Sequence, residues 1–181
     1  MILSDSELVE MLREPRTRRE GFAVLVKQYS EKLYWKVRRI VLSHEDANDV
    51  LQNVFIKVWS NLQNFKGKSS LSTWLYRIAI NESLDFLRKQ KLADKVSADE
   101  DVSVASRLMS DEYFDGDEVQ ARLQEAVARL PEVQRTVFNL KYFEEMKYSE
   151  MSQILNTSEG ALKASYHLAV KKITEYLHLF D

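Results

Sequence analysis

The stretch YSEMSQILNTSEGALKASYHLAVKKI, Tyr148 to Ile173, has the pattern of a helix-turn-helix, two helices joined by a short turn. Its apolar residues recur at the spacing of a helix face, which predicts that Met151 packs against Leu162 across the turn. Asn156 stands where the turn needs a left-handed backbone, and asparagine adopts that conformation more readily than most residues. Ser158 follows as an N-cap for the second helix. The stretch therefore predicts a small helical domain.

The outward edge of the second helix is a candidate DNA-binding surface. In this motif the first turns of the second helix reach base edges in the major groove, while lysines contact phosphates. Lys163, His167 and Lys171 recur every four residues and therefore share one edge. A helical hairpin with a solvated lysine face is the alternative. The candidate residues are Ser158, Glu159, Lys163, His167, Lys171 and Lys172.

The composition of the chain predicts an all-α fold. Of its 181 residues, only 4 are Gly and 2 are Pro, while 45% are hydrophobic, so turn formers are scarce and apolar residues suffice for real cores. Hydrophobic periodicity and capping residues indicate eight helices. They are predicted at about residues 5–12, 18–41, 46–62, 72–91, 119–130, 131–142, 149–155 and 159–177.

Charge is divided unevenly along the chain. Residues 1–91 contain 16 Lys and Arg against 11 Asp and Glu, which gives +5; residues 92–118 contain 2 against 9, which gives −7; and residues 119–181 contain 8 against 8. The acidic segment has weak apolar periodicity and many Ser and Asp, so it predicts a flexible linker between two small helical domains. It is either a simple tether or a segment whose charge has a role. Because the last domain carries no net charge, it should bind DNA weakly alone.

Several classes of function lack their residues in this sequence. There is no cysteine, so disulfides and thiolate metal sites are excluded, and the three histidines are scattered. No Gly-rich phosphate loop and no nucleophile elbow is present. The first residues do not form a signal peptide, and no segment is apolar enough to span a bilayer. We therefore expect a cytoplasmic protein that is not an enzyme and that has no metal, cofactor or small-molecule substrate.

Five stretches carry a resemblance to a known family. They are FAVLVKQYSEKLYW (Phe22–Trp35), DANDVLQNVFIKVW (Asp46–Trp59), STWLYRIAINESLDFLRKQK (Ser72–Lys91), LPEVQRTVFNLKYFEEMKYSEMSQIL (Leu130–Leu155) and SEGALKASYHLAVKKI (Ser158–Ile173). Together, and in this order, they resemble a bacterial RNA polymerase sigma factor of the extracytoplasmic-function group. The resemblance covers nearly the whole chain except the first twenty residues and the acidic linker.

The resemblance implies a transcription initiation factor with two binding domains. Residues 1–91 are similar to sigma region 2, which binds core RNA polymerase and the minus-ten promoter element, and residues 119–181 are similar to region 4, which binds the minus-thirty-five element. The helix with DANDVLQNVF would dock on the clamp coiled coil of the largest polymerase subunit, and the polymerase flap is a second expected contact. The expected docking residues are Asp49, Gln52, Asn53 and Ile56. A solvated polar face is the alternative, chiefly for Asn53.

The resemblance also implies that the helix with WLYRIAIN (Trp74–Asn81), and the loop before it, bind the non-template strand of the minus-ten element and capture a flipped base. Such a site needs cations for phosphates, a surface for stacking and a polar group for a base edge. The amide of Asn81 both donates and accepts, so it suits the base edge, whereas Trp74 is either a core anchor or a stacking platform. The candidate residues are Lys66, Lys68, Trp74, Arg77, Asn81, Arg88 and Lys89.

The recognition helix departs from the commonest pattern of the family. Many relatives have Thr-Val-Lys-Ser-Arg where this chain has ALKAS at residues 161–165. Lys163 matches, but Ser165 replaces the arginine. The resemblance therefore implies how this helix docks, and it leaves the preferred promoter sequence open.

The resemblance implies further partners, and two other classes of function compete with it. The family commonly has an anti-sigma factor, often membrane-bound, and its linker threads the polymerase cleft, where the −7 charge would mimic nucleic acid. A stand-alone helix-turn-helix regulator would leave the Asp46–Trp59 and Trp74–Asn81 stretches unexplained. A helical adaptor that binds only protein would leave the basic edge of the Ser72–Lys91 helix unexplained.

Overall fold

The computed structural model describes residues 3–93 and 116–180, and each range forms a compact helical unit of its own. The secondary structure of these described residues is entirely helical, which confirms the all-α prediction. The first unit contains α1 (Asp5–Arg13), α2 (Arg18–Val41), α3 (His44–Asn61), a 3-10 turn (Leu62–Asn64) and α4 (Leu71–Ala93). The second contains α5 (Glu118–Ala128), α6 (Glu132–Phe138), a π turn (Asn139–Phe143), α7 (Tyr148–Leu155), α8 (Glu159–Leu177) and a 3-10 turn (His178–Phe180). Most of the predicted linker, 92–118, lies outside the described residues.

Local signals at the helix ends place the helices of the first unit. Ser4 and Glu7 form a capping box at the start of α1, in which Glu7 N donates to Ser4 Oγ at 3.3 Å and Ser4 N donates to the Glu7 carboxylate at 2.8 Å. Leu42 is the C-cap of α2, and its backbone is left-handed with φ 69°. Ser43 then caps α3 by accepting a hydrogen bond from Asp46 N. Because Ser43 takes the cap, α3 begins two residues before its predicted start at Asp46.

The core of the first unit lies between α2, α3 and α4. The valine stripe that spacing predicts on α3 is buried, and residues of α2 and α4 face it. The side chains buried to 1% exposure or less include Leu25, Leu33, Val37, Val50, Val54, Val58, Leu75 and Ala79. These buried faces fix the rotation of α3 and α4 about their axes, so the residues on the opposite faces point outward.

Gly21 lets α1 pack closely on α2. A β-carbon added at Gly21 would lie 2.8 Å from Cβ of Met11, which is closer than β-carbons approach other heavy atoms. Two side chains at the start of α2 then donate hydrogen bonds to free carbonyl groups at the end of α1. Thr17 Oγ1 donates to Met11 O at 2.9 Å, and Arg18 Nε donates to Leu12 O at 3.0 Å. The first helix is therefore an integral part of this unit.

The second unit contains the predicted helix-turn-helix in α7 and α8. Asn156 ends α7 with a left-handed backbone, φ 50° and ψ 47°, and Ser158 caps α8 by accepting from Ala161 N at 3.3 Å. Met151 and Leu162 are buried to 0% and 1% exposure. The motif packs on a core made by α5, α6 and α8, whose buried members are Ala126, Val127, Leu130, Phe138, Ala169 and Ile173.

The helix predicted to run from Pro131 to Tyr142 differs in two ways. Pro131 is the N-cap of α6 and does not lie in its first turn, and the α-helix ends at Phe138 and continues as a π turn. The π turn sets the ring of Tyr142 parallel to that of Phe138, with ring centres 5.0 Å apart. Within the described ranges, no helix has the length and apolar composition needed to cross a membrane.

Candidate functional site

The outward side of α3 presents the four residues expected to dock on polymerase. Asp49, Gln52, Asn53 and Ile56 are all exposed, and Ile56 is 58% exposed. Their spacing of three and four residues puts them on one helix face, opposite the buried valine stripe. We name these four residues the α3 face. It combines an acidic group, two amides and one exposed aliphatic side chain.

Trp59 extends the α3 face, although no role was predicted for it. It lies three residues after Ile56, is 42% exposed, and packs edge-on against Phe22 with ring centres 5.0 Å apart. An exposed large aromatic that the fold holds in place is typical of protein interfaces. The sequence does show that Trp59 follows Ile56 by three residues, a spacing that puts both on the same helix face. Only the packing on α2 shows that the ring is held at the surface.

The loop before α4 carries the two lysines expected to bind DNA. Lys66 and Lys68 are exposed, and Gly67 between them has a left-handed φ of +70°, which glycine adopts without strain. At the start of the loop, Phe65 packs on Trp74 of α4, with ring centres 5.1 Å apart and planes inclined by 45°. Trp74 is half-buried, so one part of the ring anchors the loop and another part is open to solvent.

Four of the candidate minus-ten residues share one edge of α4. With about 100° per residue, Trp74, Arg77, Asn81 and Arg88 fall on the side opposite Leu75 and the rest of the buried face. Asn81 is exposed, and no described residue hydrogen-bonds its side-chain amide. We name these four residues the α4 edge. It holds an amide with free donors and an acceptor between two guanidiniums.

The members of the α4 edge differ in their surroundings. Arg77 is half-buried, and its Nε is buried with no hydrogen-bond partner among the described residues. Arg88 is exposed and pairs with Asp85 at 2.8 Å. Lys89 is also exposed, but it lies about 100° around the helix axis from Arg88 and is therefore not part of the α4 edge. The structure therefore places Arg77 and Arg88 on the same edge of α4 as Asn81 and places Lys89 apart from them.

All six candidate residues of the recognition helix are exposed. Lys163, His167 and Lys171 follow one line along α8, with Glu159 in the first turn and Ser158 Oγ occupied as the N-cap. We name these three lined-up residues, Lys163, His167 and Lys171, the α8 line. Lys172 is about half a turn from Lys163 around the axis, so it does not belong to this line.

The ring of Tyr148 contacts two lysines, and no role was predicted for this residue either. The Nζ of Lys163 lies 5.6 Å from the centre of its ring, and the Nζ of Lys141 lies 5.0 Å from it. Such contacts between a cation and an aromatic face are attractive. Burial raises the pKa of the Tyr148 hydroxyl above its usual value. The ring supports Lys163 from the first helix of the motif.

Two family models match the chain, one in each unit. The Sigma-70 region 2 model matches residues 25–93, and the Sigma-70 region 4 model matches residues 120–173. The first match includes the α3 face, the Lys66–Lys68 loop and the α4 edge. The second includes the helix-turn-helix.

Curated relatives match most of the chain. The ECF RNA polymerase sigma factor SigW of Bacillus subtilis is 32% identical over 157 residues, which cover 82% of this chain and 84% of SigW. The RNA polymerase sigma-H factor of Pseudomonas aeruginosa is 30% identical over 182 residues, which cover 96% of this chain and 93% of that protein.

Two solved structures have a similar fold. One is the sigma factor RpoE in complex with the anti-sigma factor NepR from Bartonella quintana, with a TM-score of 0.70 and 20% identity over 88% of this chain and 98% of that one. The other is CnrH in complex with the cytosolic domain of CnrY, with a TM-score of 0.65 and 20% identity over 98% of this chain and 96% of that one. At this identity the likeness concerns the fold alone.

Proposed function

The chain belongs to the ECF RNA polymerase sigma factors and is a transcription initiation factor, not an enzyme, and on that premise we propose which of its surfaces meet core polymerase and promoter DNA. Residues 1–91 form the part that binds core polymerase and the minus-ten element. Residues 119–181 form the part that binds the minus-thirty-five element and the polymerase flap. Residues 92–118 join the two parts and pass through the polymerase cleft.

The α3 face, extended by Trp59, is the polymerase-binding surface in this proposal. Interfaces commonly have an apolar centre with a polar rim. Ile56 and Trp59 supply exposed apolar area, and Gln52, Asn53 and Asp49 supply the polar part. Its partner is the clamp coiled coil of the largest subunit. A face that is only solvated would account for the amides, but it would not account for the exposure of Ile56 and Trp59.

The single observation that carries the minus-ten assignment is the exposed amide of Asn81 between Arg77 and Arg88. An amide without a protein partner can bind the Watson–Crick edge of a base that has left the duplex, because such an edge always offers both donors and acceptors. The neighbouring guanidiniums and the Lys66–Lys68 loop bind phosphates of the single strand. Trp74 lies one turn from Arg77 with part of its ring in solvent, so it is placed to stack beside the bound base.

The α8 line enters the major groove at the minus-thirty-five element in this proposal. Lys163 and Lys171 contact phosphates, and the first turn with Glu159 meets base edges. Since Ser158 Oγ is occupied as the cap, its role is to start the helix at the right place. The predicted contact at Lys172 belongs to a different side of α8 and is the weakest member of the set.

We also propose that an anti-sigma factor restrains this protein in the cytoplasm. The sigma factor RpoE, which has a similar fold, has been solved in complex with the anti-sigma factor NepR, and CnrH has been solved in complex with the cytosolic domain of CnrY. A membrane-bound partner with a cytosolic segment is therefore the kind of inhibitor expected here. It would cover surfaces that polymerase needs, so that release makes them available.

The test of the proposal separates assembly from promoter opening. Core polymerase transcribes genomic fragments with the wild-type protein, with Asn81→Ala and with Gln52→Ala, and binding to core is measured in parallel. We expect defined transcripts only when the wild-type protein is present, normal core binding but weak promoter opening for Asn81→Ala, and weak core binding for Gln52→Ala.

Two outcomes would contradict these assignments. If Asn81→Ala loses core binding and opening equally, the α4 edge is not a dedicated DNA surface. If the wild-type protein adds no transcripts but binds duplex DNA alone with a steep salt dependence, a stand-alone regulator describes it better.

A further inference from the structure

The first helix reaches the loop that carries Lys66 and Lys68. A methyl group built at Gly67 would lie 3.5 Å from Nη2 of Arg13, so the guanidinium of Arg13 is in contact distance of the middle of the loop. Arg13 is exposed and ends α1. The family model for region 2 begins at residue 25, so α1 lies outside the matched part of the chain.

The contacts of α1 hold Arg13 at this place. Leu8 and Leu12 are buried beneath the helix, and its start is tied to α2 by a pair of hydrogen bonds in which Leu3 N donates to Gln28 Oε1 at 3.1 Å and Gln28 Nε2 donates to Leu3 O at 2.9 Å. Asp5 accepts a hydrogen bond from the hydroxyl of Tyr29. The helix is thus fixed at its start, along its buried side and, through Arg18, at its end.

The same helix also touches the other end of the loop. Ser72 N, in the first turn of α4, lies 3.4 Å from Oδ2 of Asp5 and donates to it. The acceptor supplies a partner for one of the free N–H groups at the start of α4. Asp5 and Arg13 therefore bracket the Lys66–Lys68 loop, one near α4 and one at Gly67.

Three cationic residues belong to this part of the surface: Arg13 contacts the loop at Gly67, and Lys66 and Lys68 flank that glycine. None of Arg13, Lys66 and Lys68 forms an ion pair with a described residue. Like charges held together by a fold repel one another, and binding a polyanion relieves the repulsion. We propose that Arg13 is a third phosphate-binding residue at this loop and that α1 holds it against the single strand of the opened promoter.

The charges around Arg13 favour DNA over polymerase as its partner. The α3 face, proposed for polymerase, carries Asp49 and amides and has no cation. Arg13 instead adjoins the two lysines assigned to the strand, and a guanidinium suits phosphate because it donates two parallel hydrogen bonds. The inference rests on the proposed role of the Lys66–Lys68 loop.

The experiment measures how salt changes the affinity of holoenzyme for a fork-junction DNA whose non-template minus-ten strand is unpaired. The DNA comes from a promoter mapped in the transcription experiment. The variants are Arg13→Gln, Arg13→Lys, a Lys66→Gln and Lys68→Gln double variant, and Lys27→Gln as the control at an exposed position of α2. Assembly with core polymerase and the melting temperature are measured for each.

We expect Arg13→Gln to lower the slope of log affinity against log salt by about 0.7, which corresponds to roughly five-fold weaker binding at 0.1 M salt. Arg13→Lys should keep most of the slope, because it keeps the charge. Lys27→Gln should leave the slope unchanged. Assembly and melting temperature should stay at their wild-type values in all four proteins.

Three results would overturn the inference, and they differ from one another. If the double lysine variant lowers the slope and Arg13→Gln does not, the loop binds DNA without Arg13. If neither variant lowers it, the loop assignment itself fails. If Arg13→Gln weakens assembly with core polymerase at an unchanged slope, Arg13 serves a protein contact.

Discussion

Lys57 of α3 forms an ion pair with Glu82 of α4, and Glu82 is the residue next to Asn81. The Glu82 side chain is 12% exposed, whereas that of Lys57 is 52% exposed. The pair therefore joins the helix proposed to bind polymerase to the helix proposed to bind the flipped base. The ion pair therefore holds α3 and α4 in register next to Asn81.

The Lys57–Glu82 pair should contribute to the stability of the first unit. Removing Lys57 leaves the carboxylate of Glu82 partly buried without its partner, which costs more than losing an exposed pair. In a double-mutant cycle with Lys57→Met and Glu82→Gln, measured by urea unfolding, we expect a coupling energy of about 0.5–1 kcal/mol. The pair Arg88 and Asp85 is the matched exposed control and should give less. Additive single changes at Lys57 and Glu82 would show that the pair has no such role.

Two glycines in helices should respond in opposite ways to the same change. A β-carbon at Gly21 meets Cβ of Met11 at 2.8 Å, so Gly21→Ala should destabilise the first unit by about 1–3 kcal/mol through overpacking of α1 against α2. A β-carbon at Gly160 meets nothing within 4 Å, so Gly160→Ala should be neutral or stabilise by up to about 1 kcal/mol through helix propensity. Thermal unfolding of both variants measures the difference. A stable Gly21→Ala protein would mean that α1 does not need this close approach.

Stability of the first unit should rise with pH above about 8. Burial, together with the smaller effect of the charges on Arg39 and Lys32, lowers the pKa of Lys36 to about 8. The face of Tyr76, 4.1 Å from Nζ, favours the charged form but does not outweigh these effects. The pKa in the unfolded chain is 10.5, so between these values the unfolded state binds more protons and raising the pH favours the fold. Above pH 10 the effect reverses, because burial raises the pKa of Tyr29 and Tyr76 and keeps both neutral only in the fold.

The measurement is the free energy of unfolding from urea titrations between about pH 7.5 and about pH 9.5. We expect it to increase for the wild-type protein and to change much less for Lys36→Met. Lys27→Met, at an exposed position of the same helix, should keep the wild-type increase. An equal increase in the wild-type and Lys36→Met proteins would show that another group causes it.

The helices could be predicted because their signals are local. The turn at Asn156 and the cap at Ser158 follow from those residues alone, and α2 and α8 occupy the predicted residues because their apolar spacing is unbroken. The π turn after Phe138 could not be predicted in this way, since the same residues also fit an α-helix. Phe138, the residue before the π turn, packs against Tyr166 of α8, which comes from a distant part of the chain.

The exposed candidate residues could also be predicted, because a helix that buries one stripe must expose the opposite one. The α3 face and the α4 edge follow from this rule. Trp59, Tyr148 and Arg13 could not be found from the sequence, because each depends on a contact between separate elements: Trp59 with Phe22, Tyr148 with Lys163, and Arg13 with the loop at Gly67. The binding roles of all these residues remain predictions.

The two lysines at opposite sides of α8 should differ in their effect on duplex binding. Lys163 belongs to the α8 line and lies against the ring of Tyr148, whereas Lys172 lies about half a turn away. If the α8 line enters the major groove, Lys163→Gln removes one phosphate contact and should lower the salt slope of holoenzyme binding to the minus-thirty-five duplex by about 0.9. Lys172→Gln carries the same charge change and should alter the slope much less. Tyr148→Leu should reproduce part of the loss at Lys163 if the ring positions that lysine, and equal slopes for Lys163→Gln and Lys172→Gln would mean that α8 approaches DNA through general attraction and not through this line.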